Sequence, residues 1–241
     1  MPGGQDDLAP MRPQVYRDPR PADYFDRFHA RARSRGPDWT YSLLRVISTP
    51  PCRGLYRLKA QEVGRVPKQG PVILAPNHFS AMDHWFVAFP LGRPVRFMAK
   101  SQLFKGPFLE WALPHLGAFP VRRGQHDEEA IITAQVILGQ GGVLVMYVEG
   151  GRSRSGRIGS SARPGIGRLA LETGARVVPV AIHGSERARN WRRLEFPAVT
   201  VRYGEPLSFE IEHEPPRERQ QAVADEVLAA VRRMHGELQR H

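Results

Sequence analysis

Residues 74–85 read LAPNHFSAMDHW: a short apolar run ends in Asn77-His78, and a carboxylate follows five residues later at Asp83. An imidazole and an acid can form half of a proton-transfer site. The acid accepts the Nδ1 proton, and Nε2 is left as a base. The same residues admit a blander reading, because Ser80 and Asp83 have the spacing of a helix capping box. On one continuous helix His78 and Asp83 would stand ~140° apart and could not meet. Pairing therefore requires His78 in a turn, between a strand over 71–75 and a helix entered near Ser80.

Three further stretches carry chemistry. In 117–124, GAFPVRRG, Arg122 and Arg123 lie between glycines at the end of a short extended segment. Guanidinium forks match phosphate geometry, although a solvated basic turn has the same composition. In 147–157, YVEGGRSRSGR, Glu149 stands at a strand exit. Gly150 and Gly151 let backbone approach a ligand, and Arg152, Ser153, Arg154 and Arg157 follow. Such a loop can hold phosphate or serve as a basic linker; it lacks the G-x-x-x-x-G-K-[ST] pattern of a P-loop. In 177–181, VVPVA, a proline within an apolar strand marks an edge, a bulge or a ligand-facing position.

The elements that must position these residues alternate. Strand patterns run over 71–75, 95–100, 117–121, 142–148 and 176–182, and 198–204 alternates like an edge strand. Helical patterns fall between them. Residues 127–139 open on three acids, favourable at a helix N-terminus, and 164–173 precede Gly174. Residues 217–238 place Val223, Val227, Ala230, Val231, Met234 and Leu238 on one stripe. Strands alternating with helices predict an α/β fold: a single domain with a mixed, mostly parallel sheet flanked by helices. The length, 241 residues at 41% hydrophobic, suits one such domain. The organisation expected is a disordered or loosely held tail over 1–37, a helical segment over 38–69 and the main domain over 70–241. In 38–69, Trp39, Leu43, Leu44 and Ile47 stand among arginines, with Pro50-Pro51 as a break. That pattern suits a helix lying in a headgroup layer or one packed on the domain.

The formal charge is +11, and only Lys59, Lys68, Lys100 and Lys105 among the 35 basic residues are lysine. A genome that writes arginine for lysine explains the choice of cation but not the excess. The excess favours an anionic partner: nucleic acid, lipid headgroups, a phosphorylated substrate or an acidic carrier protein. No recognisable nucleic-acid motif accompanies it. Cys52 is the only cysteine, so no intramolecular disulfide forms. Residues 1–20 lack the apolar core of a signal peptide, and no apolar run reaches the ~18–20 residues of a spanning helix. The expected location is the cytosol or a membrane surface.

The four stretches, in this order and spacing, resemble the glycerolipid acyltransferases, the PlsC-like family of 1-acylglycerol-3-phosphate and glycerol-3-phosphate acyltransferases. The resemblance covers about 70–204. The H-x-x-x-x-D block is His78 to Asp83, and the glycine-to-arginine block is Gly117 to Arg123. The block usually read F-P-E-G-T-R-S is Tyr147 to Ser153, with Val148 for the proline and Gly151 for the threonine. The apolar-proline block is Val177 to Ala181. The resemblance implies acyl transfer from acyl-CoA or an acyl carrier protein to the hydroxyl of lysophosphatidate, giving phosphatidate. It implies no cofactor and no metal. His78 would be the base and Asp83 its brace. Arg122, Arg123, Glu149, Gly150, Arg152 and Ser153 would hold the acceptor. Phe104, Phe108, Leu109, Trp111 and Leu113 would line an acyl groove. The setting implied is peripheral, on the cytoplasmic side of the cell membrane and against anionic lipids, with no nucleic acid. The two departures leave open another lysophospholipid, an amino-acid lipid or a glycolipid as acceptor. A nucleic-acid-binding protein or a non-catalytic lipid binder are the readings of another class.

Overall fold

The computed structural model describes residues 18–125, 127–153, 155–188 and 195–240. Its centre is a seven-stranded sheet in the order β1-β7-β6-β2-β5-β3-β4. The strands are β1 (Lys59–Gln61), β2 (Val72–Pro76), β3 (Val95–Lys100), β4 (Ala118–Val121), β5 (Val143–Val145), β6 (Arg176–His183) and β7 (Thr200–Tyr203). All neighbours pair in parallel except β6 and β7. The five strands from β6 to β4 therefore run one way, and β7 and β1 run the other.

The central strand β2 is buried along its whole length. Its alternate residues feed two cores. Val72 and Leu74 face one side, with α2 (Trp39–Gly54) and α3 (Asp83–Ala88). Ile73 and Ala75 face the other, with α5 (Glu128–Gly139), α6 (Gly165–Thr173) and α7 (Arg217–Gln239). Burial on both faces explains why β2 reads as a continuous apolar run rather than an alternation.

The helix that follows β2 lies on the first face, and the helix that follows β5 lies on the second. β2 and β5 are neighbours. Chains that leave adjacent parallel strands to opposite faces open a crevice at the strands' C-terminal edge, where ligands of α/β sheets bind. His78 follows β2 and the Glu149 loop follows β5, so both emerge at this crevice.

Several expectations are corrected. Residues 1–17 lie outside the described residues, but residues 22–34 are not a tail. A short 3-10 turn that buries Phe25 leads into α1 (Asp26–Ser34), which buries Phe28 and Ala32. Arg96 donates to the carbonyls of Ala32 and Arg35, and Arg33 pairs with Glu129, so charged groups tie this arginine-rich helix down. The helix over 38–69 does not break at Pro50-Pro51. α2 runs through both to Gly54, because the carbonyls four residues earlier, on Val46 and Ile47, lie at exposed positions where water can take the lost bonds. The boundary at residue 69 also fails, since β1 is an edge strand of the sheet. β7 is consequently not an edge, as β1 covers it. Finally, β5 ends at Val145, although Met146 and Val148 still donate to the Leu74 and Pro76 carbonyls.

Candidate active site

The pairing of His78 with Asp83 is realised. Beyond β2, the Asn77 side-chain amide exchanges two hydrogen bonds with the backbone of Ile182, at 2.9 and 2.8 Å, and so extends the β2–β6 ladder by one residue. The chain then turns, and His78 stands in that turn. Asp83 opens α3 with a fully buried carboxylate. Its Oδ2 accepts from His78 Nδ1 at 2.8 Å, from the Phe79 amide at 2.7 Å and from the Ser80 amide at 2.8 Å. Only half of the capping box forms: Asp83 Oδ2 takes the Ser80 amide, but Ser80 Oγ does not take the Asp83 amide, and α3 is entered from Met82. The Met82 amide donates to Ser80 Oγ at 3.2 Å and the Asp83 amide to the Ser80 carbonyl at 3.2 Å. One carboxylate thus fixes the turn before the helix and sets the imidazole tautomer. Nδ1 carries the proton, and Nε2 is the basic nitrogen.

His78 is 5% exposed. Burial lowers its pKa below the ordinary value, Asp83 opposes that shift, and the Arg152 and Arg123 cations add to it. The ring is therefore neutral at neutral pH, the state a general base needs. The same two cations act on Tyr147, so Arg123 and Arg152 lie within electrostatic range of both rings.

The Glu149 loop is pinned to this site. The Ser153 amide donates to the His78 carbonyl at 2.9 Å, and Ser153 Oγ meets Ser155 Oγ at 3.0 Å. Gly150 has φ +69°, and a Cβ there would stand 2.7 Å from Arg163 Cγ; this tight turn fits glycine alone. Val148 is core. Its amide donates to the Pro76 carbonyl, a bond that proline could not make. The departure from the proline of the F-P-E-G block therefore adds a ladder bond and stiffens this exit.

Not every expected residue faces the crevice. Arg122 turns to the start of α5, with its amide on Asp127 Oδ2 at 2.6 Å and its Nε 3.8 Å from the same oxygen. Glu149 is turned inward. It is 1% exposed, its Oε2 accepts from the Gly159 amide at 2.9 Å, and burial pushes its pKa up to about 7. It braces the loop. Arg154 lies outside the described residues. In the supposed acyl groove, Phe104 is buried against Phe28, whereas Phe108 is 72% and Trp111 53% exposed on α4 (Gly106–His115). These two aromatics face outward.

The sequence reading passed over two residues that touch the imidazole. Tyr147 stacks on His78 with ring centroids 3.8 Å apart and planes 19° apart. His84 meets the His78 ring edge-on at 5.4 Å and the Tyr147 ring at 5.2 Å. Burial and the neighbouring His78 hold its pKa down to about 4. Both had a sequence signal: Tyr147 opens the block that carries Glu149, and His84 follows Asp83.

A model of the acyltransferase family matches residues 57–183, more than half of the chain. The chain belongs to the acyltransferase family. The matched region holds the His78–Asp83 turn, Arg123 and the Glu149 loop. Among sequence relatives of this acyltransferase-family protein is the chloroplastic 1-acyl-sn-glycerol-3-phosphate acyltransferase LPAT1 of Arabidopsis thaliana. It is 27% identical over 133 residues, 54% of this chain and 37% of that one. The 1-acyl-sn-glycerol-3-phosphate acyltransferase of Borreliella burgdorferi is 28% identical over 122 residues, 50% of this chain and 48% of that one. The chain thus matches less than half the length of either relative. The fold is that of the 1-acyl-sn-glycerophosphate acyltransferase PlsC from Thermotoga maritima, with TM-score 0.61 over 90% of each chain at 22% identity.

Proposed function

We propose that the protein moves a fatty acyl group from a thioester, acyl-CoA or acyl carrier protein, to the free hydroxyl of 1-acyl-glycerol-3-phosphate. The product is phosphatidate, and no metal or cofactor takes part. The observation that carries the reading is a neutral, carboxylate-braced imidazole at the β2–β5 crevice with two arginines within electrostatic range of it. The acceptor hydroxyl attacks the thioester carbonyl as His78 Nε2 takes its proton. The carbon–sulfur bond then breaks, and the imidazolium returns the proton to the leaving thiolate. Asp83 stabilises the imidazolium in between. Arg123 and Arg152 hold the acceptor phosphate, the Gly150 turn and Ser153 shape its seat, and Arg122 and Glu149 support the two loops.

The names of the sequence relatives support the choice of acceptor, and the charge of +11 suits anionic donor, acceptor and lipid alike. No helix among the described residues is long and apolar enough to cross a membrane. The protein instead works from a membrane surface on the cytoplasmic side. Trp39, Leu43, Val46 and Ile47 on α2, and Phe108 and Trp111 on α4, are exposed apolar side chains available to that surface. Aromatic rings of this kind favour the headgroup level.

Arg123→Ala tests the headgroup assignment. Losing a charged hydrogen bond, worth about 1.5–3 kcal/mol, should raise the acceptor KM tenfold or more and leave kcat nearly unchanged. An unchanged KM would remove Arg123 from the acceptor site. Turnover of another lysophospholipid, with none of lysophosphatidate, would replace the acceptor.

A further inference from the structure

We infer that Tyr147 is a positioning residue for His78: its ring fixes the plane of the imidazole and supports the imidazolium as it forms. The inference rests on the acyl-transfer reading of the same site. A single hydrogen bond from Nδ1 to Asp83 fixes one direction in the ring and leaves it free to tip about that bond. A face-to-face contact removes this freedom. Tyr147 supplies it, with centroids 3.8 Å apart and planes 19° apart. His84 closes an edge at 5.4 Å and 83°, and is itself oriented by Nδ1 donating to the Ala81 carbonyl at 3.2 Å.

Tyr147 is well placed for this task. It leaves the sheet just after β5, beside the exit of β2. Its carbonyl accepts from the Gly150 amide at 2.8 Å, and the next residue is held by the Pro76 carbonyl. The stack is therefore built on two paired strand ends rather than on a loose loop. Its energetic consequence falls on the reaction. A neutral imidazole gains little from lying on a phenol ring, whereas an imidazolium gains the attraction of a cation for an aromatic face. The stack thus favours the state formed when the acceptor loses its proton. Tipping the ring would also move Nε2, and a displacement of about 1 Å at a reacting group costs on the order of 100-fold.

The ring carries this role, and the hydroxyl does not. Tyr147 Oη is buried and makes no hydrogen bond within the protein. Tyr147→Phe therefore keeps the stack and breaks no bond, whereas Tyr147→Leu removes the flat face. Using the purified full-length chain, kcat and acceptor KM are measured with an acyl thioester and lysophosphatidate. In parallel, the His78 imidazole is titrated by NMR. The groups that face it are Asp83 and His84 from α3, Arg123 beyond β4, and Tyr147 and Arg152 beyond β5.

Tyr147→Phe is expected to stay within about twofold of wild type in every quantity. Tyr147→Leu is expected to lose on the order of 100-fold in kcat with KM nearly unchanged. Its His78 titration should move further below the ordinary value of 6.5, because leucine keeps the ring buried, the main depressing cause, and removes the aromatic face that favoured the imidazolium. Tyr147→Met refills the volume with a flexible side chain and carries the same expectation where the leucine variant unfolds. A leucine or methionine variant with kcat within twofold of wild type overturns the inference. So does a phenylalanine variant as slow as leucine, which would move the role to the hydroxyl. If wild type turns over no thioester with any acceptor, the acyl-transfer reading fails. The titration still judges the stack, and an unshifted His78 in Tyr147→Leu overturns it.

Discussion

Asp83→Asn isolates the carboxylate's charge from its geometry. Oδ2 accepts three hydrogen bonds, while Oδ1 is buried and accepts none within the protein. An asparagine that places its amide oxygen at the Oδ2 position keeps all three bonds, with its NH2 where Oδ1 was. The opposite flip would strip two backbone amides of their acceptor, at about 1–3 kcal/mol each, so the first orientation is preferred. The imidazole then keeps its tautomer and loses only the negative charge that stabilises imidazolium. For charges about 4 Å apart at an effective dielectric near 20, that charge is worth about 4 kcal/mol. The barrier should rise by this amount, and kcat should fall on the order of 1,000-fold. The variant should unfold cooperatively, and its acceptor KM should stay near wild type. The assay is thiol release from acyl-CoA with lysophosphatidate, alongside thermal unfolding by circular dichroism. A folded variant within tenfold of wild type in kcat would refute the role given to Asp83.

Two further outcomes are expected. Glu149 has a folded pKa of about 7 against an ordinary 4.5. The native state therefore binds more protons than the unfolded state between those pH values, and stability falls as pH rises through that window, by roughly 3 kcal/mol. Glu149→Gln keeps an acceptor for the Gly159 amide without the ionisation, so its Tm relative to wild type should rise more at pH 8 than at pH 5; an equal difference at both would remove the burial argument. On the surface, Leu43→Ser with Ile47→Ser, and Phe108→Ser with Trp111→Ser, should each lower co-sedimentation with anionic vesicles tenfold or more, since each apolar side chain buried is worth about 1.5–3 kcal/mol. Unchanged co-sedimentation would detach that helix from the membrane reading.

What the sequence disclosed follows from how local each signal is. Strand β3 spans the residues its pattern predicts, 95–100, and α7 extends its predicted stripe by one residue, to Gln239. The His78–Asp83 pairing was legible because a strand end and a cap residue bracket a turn of only a few residues. The α1 segment was not legible. Its core contribution is a few apolar side chains among arginines, and one ion pair and two guanidinium-to-carbonyl hydrogen bonds to residues 60–100 positions away in the chain hold it. The inward turn of Glu149 was equally hidden, since its partner Gly159 is set by how the loop folds back. The proline at 179 was readable as a mark but not as a cause. The Gly204 amide bonds to its carbonyl and Leu207 pairs with Val177, so residues 205 and 206 bulge where the proline has no donor to give. The stack on His78 joins the exits of two strands, and no local pattern encodes such a contact.

The central claim is that His78 takes the proton of an acceptor hydroxyl. The most direct measurement is mass spectrometry of phosphatidate formed from an acyl thioester and lysophosphatidate, comparing wild type with folded His78→Ala. The account predicts product from wild type and a loss of at least 10²–10⁴ in the variant, the usual contribution of a general base. Phosphatidate formed by folded His78→Ala at a rate within tenfold of wild type would contradict it.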